Sequence, residues 1–99
     1  MKTTTDGDIL TIFLTGDIDA QNAAEVQEEI LKIMASHKEK NLVFDAKELS
    51  YISSAGLRVI LKIQKQSEEN ISVINISPDV MEIFKMAGFQ FMMKIQGCK

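Results

Sequence analysis

The residues best suited to chemistry are the paired hydroxyls of Ile52-Ser53-Ser54-Ala55-Gly56-Leu57, set among small side chains where a helical apolar pattern begins. A serine at a helix start sits beside unpaired backbone N–H groups and the positive end of the helix dipole, which favour an added negative charge. A phosphoryl group accepted there would bring about −1.5 to −2 charges and three acceptor oxygens, enough to remodel a docking surface without changing the fold. The same pair admits a plainer role, because Ser53 or Ser54 can simply cap the helix. Catalysis by a serine nucleophile would need a base held against it. The only histidine, His37, falls beside Lys38 and Lys40 at the far end of another helix, where it suits the negative end of that dipole. No G-x-S-x-G elbow, lysine-bearing glycine loop or Cys/His cluster with metal-ligand spacing occurs. No catalytic residue, metal or cofactor is therefore expected, and the protein is not expected to be an enzyme. A phospho-aspartate receiver centred on Asp45 fails on chain length and on the missing early acidic pair.

Several elements must position these residues. Leu10, Ile12 and Leu14 alternate with Thr11, Phe13 and Thr15, the period-two pattern of a strand, and Asp6-Gly7-Asp8 predicts a hairpin turn from an edge strand over Lys2 to Thr5. A loop, Gly16-Asp17-Ile18-Asp19, precedes a helix whose stripe is Ala23, Val26, Ile30, Ile33 and Met34, with Asp19 as its N-cap. Leu42-Val43-Phe44 reads as a central strand buried on both faces and ending at Asp45, whose carboxylate can hold the following loop by accepting backbone N–H bonds. That loop, Asp45 to Ser54, is the default functional position in a parallel sheet. The second helix begins at the serine pair and carries Leu57, Val59, Ile60, Leu61 and Ile63. A strand over Ile71 to Ile76 follows, then a third helix announced by Ser77-Pro78-Asp79 and closing at Gly88, and a last short strand within Met92 to Ile95. The methionines Met81, Met86, Met92 and Met93 are expected mostly to fill gaps between the third helix and the sheet.

This order requires helical crossovers between parallel neighbours. At 99 residues, one domain with one core is expected. The formal charge of −3, from 14 acidic and 11 basic residues without a basic block, disfavours nucleic acid as a partner. A lone Cys98 precludes an intramolecular disulfide, and no apolar stretch approaches the roughly 20 residues of a membrane helix, so a cytoplasmic protein without membrane insertion is expected.

The run DAKELSYISSAGLRVIL, Asp45 to Leu61, resembles the signature segment of the STAS domain of anti-sigma factor antagonists. Asp45, Gly56 and Leu57 match family positions, and GDIDAQNA, Gly16 to Ala23, resembles the family's second landmark. The resemblance covers nearly the whole chain. It implies an α/β fold: a single STAS domain over residues 1–99, with a mixed, mostly parallel sheet of about four to five strands and helices mainly on one face. It also implies partner switching. The unphosphorylated protein would bind an anti-sigma factor serine protein kinase and be released on phosphorylation of Ser54, with a serine phosphatase resetting it, so regulating sigma-factor-dependent transcription. The docking face would comprise Asp17, Asp19, Ser53, Ser54, Ala55 and Gly56, the last two allowing close approach of a partner. The family usually has Asp before the acceptor and this chain has Ser53, which makes Ser53 the alternative acceptor. The alternative function is a non-phosphorylated STAS subunit of a membrane transport assembly.

Overall fold

A computed structural model describes residues 1–37, 41–66 and 71–98. The elements are β1 (Thr3–Asp6), β2 (Ile9–Ile18), α1 (Ala23–Ser36), β3 (Asn41–Ile52), α2 (Ser54–Gln66), β4 (Ile71–Ile76), α3 (Pro78–Met86), a 3-10 turn (Phe89–Phe91) and β5 (Lys94–Gly97). They build a five-stranded sheet in the order β1-β2-β3-β4-β5, with β1 antiparallel to β2 and every later pair parallel. Because the strands advance in one direction, right-handed crossovers place α1, α2 and α3 on the same face. The registers bear this out. Leu10, Leu42 and Ile71 lie in one row and Ile12, Phe44 and Val73 in the next, all buried with Ile30, Ile60, Ile63, Val80 and Phe84.

Among the described residues, no helix covers the opposite face. Thr11, Phe13, Val43, Ser72 and Ile74 remain half-buried, so β3 is central but not buried on both faces as its apolar run suggested. Part of this face is screened by Lys2, whose ammonium lies 5.3 Å from the centre of the Phe13 ring.

Three stretches expected to be loops or gap-filling core differ. The Gly16-Asp17-Ile18 segment is the end of β2, and β3 runs seven residues past Asp45 to Ile52. Pairing of β3 with β4 stops at Asp45↔Ile74, after which β3 continues against β2 alone, ending at Ile52↔Ile18. Register shifts between Phe13 and Thr15 and between Gly16 and Asp17 mark bulges in this extension, and Gly16 adopts φ +66°, a conformation natural to glycine. The bulges space the buried side chains Ala46, Leu49 and Ile52 three apart, which hides the strand from a period-two reading. In the C-terminal part, Phe84 and Phe89 meet edge to face at 5.1 Å and close the core. Met86 and Met92 do not fill gaps there: Met86 is 90% exposed and Met92 40%. Gly88, φ +78°, ends the third helix segment as expected, and the last strand lies slightly later than its apolar run.

Asp45 is the one charged side chain buried among the described residues. Its Oδ1 accepts from the Lys47 backbone N–H at 2.9 Å and its Oδ2 from the Asn75 side-chain amide at 3.0 Å. Asn75 itself is left-handed, φ +58°, where β4 turns away. The carboxylate thus ties β3 to β4 at the point where they diverge. Removing it leaves two part-buried donors without their partner, so Asp45→Ala is expected to lower stability by about 1–2 kcal/mol, read as a fall in the urea midpoint at unchanged slope.

Candidate functional site

The extension of β2 and β3 delivers the serine pair to the carboxyl end of the sheet. The Ser53 N–H donates to Ile18 O at 2.9 Å, pinning the start of α2 to the end of β2. Ser53 is the N-cap: its Oγ accepts from Gly56 N–H at 3.4 Å, and its carbonyl accepts from Leu57 N–H at 2.9 Å. Ser54 is the first helical residue, exposed, and its hydroxyl has no hydrogen bond among the described residues. The two hydroxyls, either of which could cap the helix on local chemistry alone, therefore differ in kind. One is used by the backbone and the other is presented to solvent beside the positive end of α2.

Gly56 explains the depth at which the helix sits. A Cβ built there would lie 2.6 Å from Ile52 Cγ1, 2.8 Å from Ile18 Cγ2 and 3.0 Å from Ile18 O. Gly56 is buried and its close neighbours belong to its own chain, so its smallness serves internal packing and not the approach of a partner that sequence alone suggests. Ala55, half-buried, lies nearer the surface.

The acids expected beside the serines are brought to the same end: Asp17 pairs with Tyr51 in the β2–β3 ladder, and Ile18 with Ile52. Asp19 caps the turn that leads into α1, as expected: its Oδ1 accepts from Gln21 N–H at 2.9 Å and Asn22 N–H at 3.3 Å, and its carbonyl accepts from Ala23 N–H at 2.9 Å, although the regular helix begins only at Ala23. Asn22, just before the regular helix, makes no side-chain cap bond; its side chain looks backward, accepting from Asp19 N–H at 2.9 Å and donating to Asp17 O at 2.8 Å. Asp19 is thus engaged by backbone, while Asp17 stays exposed.

Two site neighbours carry no clear local signal. Tyr51, the one tyrosine of the chain and 48% exposed, stands on β3 three residues before Ser54, in a stretch whose charged residues and bulges resemble a loop. Arg58 is exposed one helical turn after Ser54, a spacing legible once the helix start is known. His37 closes α1, its Nδ1 2.8 Å from Ile33 O, well away from the serines in sequence and on another element. Lys38 and Lys40, expected beside it, lie outside the described residues. No group of three or more His, Cys, Asp or Glu among the described residues is placed to hold a metal, and none of the described helices is long and apolar enough to cross a membrane.

The STAS domain model matches residues 1–97. BtrV of Bordetella bronchiseptica, named a candidate anti-sigma factor antagonist, is 35% identical over 84 residues, covering 82% of this chain and 72% of the relative. Two solved structures share the fold. An anti-sigma factor antagonist candidate from Thermotoga maritima superposes with TM-score 0.86 at 14% identity, covering 96% of this chain and 84% of that one. The anti-sigma factor antagonist SpoIIAA in its unphosphorylated form gives 0.71 at 17%, covering 99% and 88%.

The cap and the seat can be tested separately. Ser53→Ala should cost about 1 kcal/mol, and Ser53→Asp should retain wild-type stability or better, since a carboxylate caps and also meets the dipole. Gly56→Ala should destabilise by about 1 kcal/mol net, overpacking outweighing the gain in helix propensity. Both are read from urea unfolding monitored by circular dichroism.

Proposed function

This chain belongs to the STAS domain family, and on that premise we propose that it is a cytoplasmic anti-sigma factor antagonist, a regulatory binding protein that is switched at Ser54. Unmodified, it docks on an anti-sigma factor that is itself a serine kinase, and the sigma factor is freed. The kinase then moves the γ-phosphoryl group of ATP to Ser54 Oγ; ADP leaves and the hydroxyl proton is lost. A serine phosphatase returns the hydroxyl by hydrolysis. The docking face comprises Asp17, Ala55 and Ser54, with Asp19, Ser53 and Gly56 shaping it from beneath.

The observation that carries this reading is the division between the serines: Ser53 Oγ caps α2, and Ser54 is exposed with a free hydroxyl among the described residues. Ser53 stands where phosphorylated relatives usually have Asp, and Asp and Ser are both strong N-cap residues. The substitution keeps the cap and removes a charge beside the acceptor. Names of relatives such as BtrV support the same pathway class.

Incubating the protein with ATP and lysate of its source cells should add one phosphate, located on Ser54 by fragmentation of the intact ion. Phosphate on Ser53 would move the acceptor, and none at all would overturn the switch. Against the kinase so recovered, Ser54→Asp should lose at least tenfold in affinity, whereas Ser54→Ala should bind and resist release. Equal behaviour of the two variants would instead fit a constitutive subunit of a transport assembly.

A further inference from the structure

We propose that Arg58 reads the phosphorylation state of Ser54: it serves an anionic partner segment while Ser54 is free, and folds onto the phosphate of its own chain once Ser54 is modified. This rests on the Ser54 reading above and adds how the charge would be sensed.

A groove of about 250 Å³ runs between α1 and α2, walled by Ala23, Ala24 and Gln27 on one side and Ala55, Arg58 and Lys62 on the other. Ser54, Arg58 and Lys62 follow one another at four-residue spacing, so they share a face of α2 and lead from the acceptor into the groove. Among the described residues, no acid lines the groove, and neither Arg58 nor Lys62 forms an ion pair. In a chain of net charge −3, this is a local reversal of sign. Charge complementarity therefore selects an occupant bearing carboxylates, and Gln27 and the guanidinium of Arg58 offer it hydrogen-bond donors.

Helical side chains lean toward the N-terminus, so Arg58 leans over the turn that carries Ser54. An anion one turn N-terminal to a cation is the favourable order along a helix. A phosphate on Ser54 would present three acceptor oxygens to a planar guanidinium that can engage two of them at once. Phosphorylation thus does more than repel a partner, because it also withdraws the cation nearest the mouth of the groove.

Phosphoserine installed at position 54 during translation tests this without any kinase. In proton–nitrogen correlation spectra the Arg58 Nε–H signal should move downfield, and its exchange with water should slow, only in the phosphorylated protein. Lys62→Gln should leave that response intact. Arg58→Gln, an exposed change expected to keep the unfolding midpoint, should weaken binding of the unmodified protein to the recovered kinase about tenfold, with Arg58→Lys intermediate. An Arg58 signal indifferent to the phosphate would overturn the proposal. Failure of any kinase to modify Ser54 would overturn the previous reading instead, while the Arg58 signal still answered this one.

Discussion

The close seat of α2 on the ends of β2 and β3 is the constraint from which the rest of the site follows. At Gly56 the helix comes within ordinary side-chain distance of Ile18 and Ile52, leaving no room for a Cβ, and at Ser53 a backbone hydrogen bond to Ile18 O fixes its first turn. Two anchors three residues apart on the same turn define both the depth and the rotation of the helix. With those set, Ser53 must face the helix N–H groups and Ser54 must face outward. The exposure of Ser54 is therefore a product of packing beneath it, and its surface position is as well determined as the core.

That seat exists because β2 and β3 outrun the rest of the sheet. Where β4 peels away, two strands continue alone, and a two-stranded ribbon by itself is marginal. Here it is stiffened from below by Asp45, which bonds both to its own strand and to Asn75 across the divergence, and from above by the packing of α2. The bulges that lengthen the ribbon also twist it and turn Ala46, Leu49 and Ile52 inward, so the extension carries its own share of the core. A binding surface held this way needs no rearrangement to change its affinity. On the proposed reading, a change of charge at Ser54 on this fixed scaffold is enough.

One-sided layering completes the picture. All three crossovers lie on one face, so α1 and α2 are neighbours and the groove between them opens next to the serine. The same layering leaves the other face half-covered and its side chains half-buried, a difference that period-two patterning cannot express when both faces of a strand carry apolar residues.

Sequence by itself determined the elements whose signals are local. Alternation of Leu10, Ile12 and Leu14 marks the buried face of β2; Ser77-Pro78-Asp79 marks the start of α3, with Ser77 Oγ accepting from Val80 N–H; and the serine pair marks the start of α2. The family was also legible, because its landmark residues are contiguous and in order. Tertiary structure decided what depends on partners distant in the chain. Residues Asp45 to Ile52 look like loop because charged residues and bulges erase the alternation, yet pairing with β2 makes them strand. Asn22, which sequence does not single out, fastens the capped turn before α1 back onto the end of β2 through Asp17 O. Ser53 and Ser54 are chemically identical, and Gly56 and Arg58 are silent in composition. What separates the serines, and gives the glycine and the arginine their places, is the contact of one helix turn with two strand ends that no local pattern encodes.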